Sequence, residues 1–328
     1  MEMNLHDPDS DYAIGVDIGG TKMNAGVVTS QGEVLHTVSL ATCAGQVNTA
    51  DRVQQAIQQL IAEASAKQPN LRYKGIGVGS AGQVDWEEGS IRSASDILPG
   101  YAGTPLRSLL QKWFALPTIV DNDVNVLALT EKHLGAGQGV DHFLCLALGT
   151  GVGGAIVVNG QLVHGCWGAG GELGHLSVDF NGLPCLCGGI GCLEQYASGT
   201  NIARRMLERL AQIGSREESL DSRMVFARWR AGDVTATEIM DETIAALGAA
   251  MASFIHMFNP ALIVIGGGVA EAGEPLLDGI RNEVTRRSMP SMREGVRIEL
   301  AYHGNWSGMI GAALQIWEYP FVKGSSLR

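Results

Sequence analysis

The sequence predicts an α/β protein of two packed lobes. Three observations carry that expectation. The chain has 328 residues, more than one compact domain usually holds. Short apolar strands alternate with helical stretches along its whole length. A unit of strand, glycine turn and strand occurs once in each half, which marks an internal structural repeat.

In the first half, a strand over Ala13 to Asp17 runs into the turn Ile18-Gly19-Gly20-Thr21-Lys22 and a second strand, Ala25 to Val28. Gln31-Gly32 then turns the chain into a third strand, Val34 to Leu40. A helix near Arg52 to Ala64 and a strand at Gly75 to Gly79 follow, and then a loop rich in Gly, Ser and Asp. A helix at Pro105 to Trp113, a strand at Thr118 to Val120 and a helix from Asn125 to Leu134 complete this half.

The second half opens in the same way, with Phe143 to Leu148, the turn Gly149-Thr150-Gly151, Gly154 to Val158, Asn159-Gly160 and Gln161 to His164. Helices are expected near Asn201 to Gln212, Arg223 to Arg230 and Ala236 to Phe258. In the last of these, Ile239, Ile244, Leu247, Met251, Ile255 and Phe258 recur at helical spacing and read as core. Strand Ala261 to Ile265 meets Gly266-Gly267-Gly268. A helix near Pro275 to Arg287, a strand at Val296 to Tyr302 and a helix at Met309 to Trp317 end the series. The expected lobes are residues 1–121 with 307–328, and residues 122–306, joined tightly because no low-complexity linker divides them.

Composition narrows the function. A formal charge of −11 argues against a nucleic-acid-binding protein or an anionic-membrane binder, since a basic stripe is missing. Residues 1–12 are polar and acidic, unlike a secretory signal, and no apolar run reaches membrane-spanning length. Three of the six cysteines crowd between Cys185 and Cys192, which favours reduced cytoplasmic thiols and one metal site over a disulfide framework. The forty-four glycines suggest places where backbone must approach a ligand or adopt positive φ.

Gly149, Gly151 and Gly154 spell G-x-G-x-x-G, but a dinucleotide-binding turn needs a helix next, and a second strand follows here. No Gly-Lys-Ser/Thr loop occurs anywhere. A single glycine turn between strands is ordinarily just a hairpin. Two matched turns, each with exposed N–H groups and a small hydroxyl residue, Thr21 or Thr150, suit a polyphosphate gripped from both sides. Lys22 adds a cation, and Asp17 is placed to hold a hydrated Mg²⁺.

His175, Cys185, Cys187 and Cys192 give H-x9-C-x-C-x4-C, three thiolates and an imidazole within eighteen residues, a set that suits tetrahedral Zn²⁺. Four protein ligands make a closed structural site. The alternative, buried free cysteines beside an unrelated histidine, leaves their spacing unexplained. Glu172 and Glu194 flank this knot.

Asp17-Ile18-Gly19-Gly20-Thr21-Lys22, Asn122-Asp123, Leu148 through Gly154 including Gly153, Gly171-Glu172-Leu173-Gly174-His175 and the cysteine knot together resemble the ROK family of bacterial sugar kinases, repressors and open reading frames. The resemblance runs from about Tyr12 to about Gly311. It implies an actin-like, ribonuclease-H-like pair of lobes, with ATP and a sugar in the intervening cleft and a small zinc-binding insertion. It implies that Asp123 is the base that takes a proton from the attacking hydroxyl, where the residues alone would make it a helix cap. Asn122, Glu172, His175 and Glu194 match positions that hold sugar hydroxyls, and Gly82 and Ser95 match a second sugar-facing wall. Gly266, Gly267 and Gly268 match the loop near the adenosine. Ser93-Ala94-Ser95-Asp96 stands where the family's glucokinases usually carry an Asn-rich segment, which bears on the sugar's second carbon.

The implied activity is ATP-dependent phosphorylation of a hexose, first of all glucose, with N-acetylmannosamine, N-acetylglucosamine or fructose as alternative acceptors. A sugar-sensing repressor of the same family would carry a helix-turn-helix, and about a dozen polar residues before the first strand are too few for one. A zinc-ribbon interaction module leaves the two phosphate turns without a use. Homodimers or homotetramers are usual in such families.

Overall fold

The computed structural model describes residues 12–94, 98–215, 217–302, 304 and 306–319. In chain order the first elements are β1 (Tyr12–Ile18), β2 (Lys22–Val28), β3 (Val34–Ala41), α1 (Thr49–Lys67), β4 (Tyr73–Ser80), β5 (Gln83–Asp85), β6 (Ser90–Ser93), α2 (Leu106–Phe114), β7 (Thr118–Asn122) and α3 (Asp123–Leu134). Then come β8 (Phe143–Leu148), β9 (Val152–Val158), β10 (Gln161–Leu162), α4 (Glu194–Ala197), α5 (Gly199–Gln212), α6 (Ser222–Arg230), α7 (Val234–Phe258), β11 (Leu262–Gly266), α8 (Glu274–Arg287), α9 (Pro290–Arg293), β12 (Arg297–Leu300) and α10 (Ser307–Glu318).

Two compact units result. The first holds the described residues of 12–138, 164–170 and 302–319, and the second holds 139–163 and 171–301. Each is built on a five-stranded sheet, ordered β3-β2-β1-β4-β7 in the first and β10-β9-β8-β11-β12 in the second. In both, the first three strands form an antiparallel meander whose first turn is the glycine turn, and the remaining two strands run parallel to the first. The repeat read from the sequence is thus a repeat of topology.

The division differs from the expected boundary at 121/122. Residues 122–138 stay with the first unit because α3 packs on α10. A Cβ at Gly311 of α10 would lie 1.7 Å from the Val126 carbonyl oxygen of α3, so only glycine permits that approach. Residues 164–170 also join the first unit, and the strand expected to reach His164 ends at Leu162, because His164 bonds to Asp121.

Within the first unit, β1 alternates. Ile14, Val16 and Ile18 face a core shared with Val53, Ile57 and Leu60 of α1. The opposite face carries Ala13 and Gly15 and receives α10 through Met309 and Ala313. Small residues line that face because the helix backbone itself arrives there. A Cβ at Gly15 would lie 2.0 Å from the Met309 carbonyl oxygen, and one at Gly77 would lie 1.7 Å from that of Ala312. These two glycines have a third use beside ligand approach and positive φ: they let a helix backbone lie directly on the sheet.

In the second unit, Leu144, Leu146 and Leu148 of β8 and Ile263 and Ile265 of β11 pack with α5, α7 and α8 in one core. Ile239, Ile244, Leu247, Met251 and Ile255 are buried as expected, and Phe258 packs against the same cluster at its margin. The Gly-, Ser- and Asp-rich loop of the first half contains a short hairpin, β5 with β6, that local composition conceals.

Candidate functional site

In the first unit, β1 and β2 are paired to Ile18 and Met23, leaving Gly19-Gly20-Thr21-Lys22 as a tight turn. The Gly19 N–H donates to the Lys22 carbonyl oxygen (3.1 Å). Thr42, fully buried, braces the turn from outside: its hydroxyl donates to the Gly19 carbonyl oxygen (2.7 Å), and its N–H donates to that of Thr21 (2.9 Å). Thr21 and Lys22 are exposed. Asp17, at the end of β1, has its carboxyl pushed up by burial, opposed by a hydrogen bond from Asn24 and by the Lys22 charge. A single desolvated carboxylate beside a turn is a donor set that Mg²⁺ accepts while keeping most of its waters.

The candidate base stands at the first turn of α3. Asn122, not Asp123, caps that helix: its Oδ1 accepts from the Val124 N–H (2.8 Å), and its Nδ2 donates to the Gly82 carbonyl oxygen (3.0 Å). Asp123 Oδ1 shares the same Val124 N–H (3.0 Å). Gly82 must be glycine, since its φ is +96° and a Cβ would lie 2.5 Å from the Ser93 carbonyl oxygen. Gly82 and Asn122 are therefore brought together, two of the residues expected to face a sugar. Ser95 lies outside the described residues.

Behind this wall is a group that the motif reading passed over. Asp121 is fully buried. Its Oδ1 accepts from the Asn122 N–H (2.7 Å) and from Asn125 Nδ2 (2.7 Å), and its Oδ2 lies 2.7 Å from His164 Nε2. The His164 ring stacks on Trp86 with centroids 4.3 Å apart, and Tyr319 stands edge-on to both. Burial, with the Asp121 charge behind it, pushes the Tyr319 hydroxyl up. The only sequence signal for this hub is the first Asp of Asp121-Asn122-Asp123. Its partner is more than forty residues away, so no local pattern reveals it.

In the second unit, β8 and β9 pair to Leu148 and Val152 and leave Gly149-Thr150-Gly151 as the turn. The continued hairpin excludes a dinucleotide-binding geometry here. The Gly149 N–H donates to the Gly151 carbonyl oxygen (2.9 Å), and the Gly149 carbonyl oxygen accepts from the Gly199 N–H at the start of α5 (2.8 Å). Gly153 lies just beyond, in β9. Gly266 ends β11, and Gly267, at φ +87°, packs where a Cβ would lie 2.4 Å from the Leu148 carbonyl oxygen. Gly268 is open and lines a cavity of about 740 Å³ together with Gly149, Thr150, Gly199, Arg204 and Ser222. That volume admits a nucleoside phosphate, and the N-terminal turn of α5 favours an anion. The α5 and α6 side of the cavity carries no motif of its own.

His175, Cys185, Cys187 and Cys192 offer four ligand atoms that all lie within 4.8 Å of one another. Cys187 Sγ and Cys192 Sγ are 3.6 Å apart, and Cys185 Sγ is 3.9 Å from His175 Nδ1. A tetrahedral ion with metal–sulfur bonds of about 2.3 Å separates its ligands by roughly 3.8 Å, so the four residues fit such a metal. Gly191, at φ +69°, allows the winding, since a Cβ there would meet the Asp179 carbonyl oxygen at 1.7 Å. Burial and the neighbouring thiols push the Cys192 thiol up to about 12, while the Gly189 N–H holds the Cys187 thiol down.

The second histidine nitrogen faces elsewhere: His175 Nε2 is 4.0 Å from the half-exposed Glu172 carboxylate. Glu194 opens α4, and its Oε2 accepts the Val152 N–H (2.9 Å) at the edge of the glycine turn. A residue assigned to sugar by its motif thus also braces the glycine turn. No described helix is long and apolar enough to cross a membrane.

Residues 13–318 match the model of the ROK family. A glucokinase of Thermotoga maritima is 37% identical over 313 residues, covering 93% of this chain and 97% of that protein. The crystal structure of a ROK hexokinase from Thermus thermophilus superposes with a TM-score of 0.79 at 32% identity, over 94% of this chain and 98% of the other. A ROK family glucokinase from Streptomyces griseus, crystallised in complex with glucose and AMPPNP, gives 0.76 at 35% identity, over 92% and 98%.

Proposed function

The chain belongs to the ROK family, and we propose that within it this protein is an ATP-dependent glucokinase. The observation that carries the reading is the 37% identity to a glucokinase across 93% of the chain. It is joined to a helix cap that falls on Asn122 and leaves Asp123 at the first position of α3.

In the proposed reaction, Asp123 takes the proton of the sugar 6-hydroxyl as that oxygen bonds to the γ-phosphorus of ATP. The bond from γ-phosphorus to the bridging oxygen breaks, and ADP leaves with the electron pair. Phosphoryl transfer is loose, so alignment and charge neutralisation carry most of the acceleration and an ordinary aspartate suffices as base. Gly19, Gly20, Thr21 and Lys22, and Gly149, Thr150, Gly151 and Gly153, hold phosphates through N–H groups, hydroxyls and one cation. Gly266, Gly267 and Gly268 border the nucleoside. Asn122 and Gly82 in the first unit, Glu172, His175 and Glu194 in the second, and by sequence position Ser95, take sugar hydroxyls. Asp17 would hold Mg²⁺, which supplies neutralising charge to the phosphates.

His175, Cys185, Cys187 and Cys192 would hold Zn²⁺, which fixes the segment bearing Glu172 and Glu194. The thiol-rich site suits a reducing cytoplasm. By family resemblance the chain assembles as a homodimer or homotetramer, which light scattering reads directly.

A coupled assay with ATP across glucose, mannose, fructose, glucosamine, N-acetylglucosamine and N-acetylmannosamine tests the reading. Glucose is expected to give the highest kcat/KM. A preference for an N-acetylhexosamine would move the assignment, and no turnover with any of the six would overturn it.

A further inference from the structure

The one-turn helix α4 is short enough to ignore, yet its first three side chains reach two places, the second glycine turn and the loop that winds the cysteines. Glu194 Oε2 accepts the Val152 N–H of the second glycine turn (2.9 Å). Gln195, 7% exposed, sends Nε2 to within 3.5 Å of Cys185 Sγ. The Tyr196 hydroxyl accepts from the Leu183 N–H (3.2 Å) and lies 3.2 Å from Asp179 Oδ2, both in the loop that winds the cysteines.

The helix is held from behind. Arg205, whose side chain is 6% exposed, donates to the Tyr196 carbonyl oxygen (2.7 Å) and pairs with Glu242 (2.7 Å). With its far side fixed, α4 has two other attachments, the cysteine loop and the second glycine turn.

We propose that Gln195 is a positioning residue that couples the metal site to the phosphate turn. Its amide N–H donates to the Cys185 sulfur and so fixes the register in which Glu194 meets Val152. The inference rests on the glucokinase and zinc readings above. A hydrogen bond to a metal-bound thiolate is charge-assisted, and groups that orient metal ligands in this way commonly govern retention of the ion. The direction of coupling follows from covalent adjacency. Gln195 and Glu194 are neighbours on a helix of one turn, so neither can shift without the other. Gly151 is what admits the carboxylate, because a Cβ there would lie 2.5 Å from Glu194 Oε2.

The test compares wild-type holoprotein with Gln195→Met, which keeps the volume and loses the donor, and with Gln195→Ala. Two quantities are read: the rate at which zinc passes to an excess of a chromophoric chelator, and KM for ATP against kcat. Zinc release from Gln195→Met is expected to be about 10-fold faster. KM for ATP should rise about 5-fold with kcat within about 2-fold, since the bond positions a binding group and touches no reacting atom. Gln195→Met behaving as wild type in both readouts would reduce Gln195 to a packing residue and overturn the proposal. Faster zinc release with unchanged KM for ATP would overturn the coupling. Should neither variant fold, calorimetry of ATP binding to zinc-stripped and zinc-loaded wild-type protein gives the same answer, and equal affinities refute it. Failure of the wild type to phosphorylate glucose would instead sink the glucokinase reading, leaving the zinc-release comparison to stand by itself.

Discussion

Asn122 and Asp123 divide two tasks that one aspartate would otherwise have to share. Asn122 satisfies the Val124 N–H and reaches Gly82, so replacing Asp123 need not unravel α3. Asp123→Ala should therefore lower kcat by about 10²- to 10⁴-fold with little change in ATP affinity, read by steady-state kinetics beside calorimetry. Near-native turnover would refute the base assignment. Asp121 is the opposite case. It is buried and accepts from two nitrogens while facing His164. Asp121→Ala orphans those partners at once and should cost about 3 kcal/mol in urea unfolding, more than any exposed carboxylate in the chain. An unfolding midpoint equal to wild type would show that water replaces the carboxylate without penalty.

At the scale of elements, the two hairpin turns, the long α7 and the capping region before α3 were legible because each is written in contiguous residues. Periodicity placed α7, and glycine with a hydroxyl residue placed the turns. What was not legible depends on distant partners. Thr42 braces the first turn from across β2 and β3, and His164 leaves its strand to meet Asp121. Gly15 and Gly77 look like any other strand glycine until α10, more than two hundred residues downstream, is laid on them. That packing makes its own prediction. Gly77→Ala sets a methyl group against the Ala312 backbone, which has no rotamer to yield, and should destabilise the first unit by about 3 kcal/mol or more. A variant melting within a degree of wild type would mean that α10 sits farther from the sheet than 1.7 Å from Cβ to oxygen allows.

At the scale of the whole molecule, two sheets of one topology carry different burdens, because only the second unit has the cysteine insertion. The chain has no disulfide among its described residues, where all six cysteines are free, so a bound ion is the one cross-link available to that insertion. Its strength must depend on pH. In the metal-free protein the Cys192 thiol is pushed up to about 12, so at neutral pH it holds a proton that zinc has to displace. The metal-loaded state binds fewer protons than the metal-free state, and lowering the pH therefore favours the latter. For each proton displaced, apparent zinc affinity should rise about 10-fold per pH unit across pH 6 to 8. Competition with a chelator of known affinity at several pH values measures the slope. Because an ion that binds only the folded state stabilises by mass action, the melting temperature of the zinc-loaded protein should fall toward that of the stripped protein as the pH is lowered. Zinc affinity independent of pH would mean that the thiols are already ionised before the metal arrives, and that the burial of Cys192 is offset by a charge closer than any neighbour described.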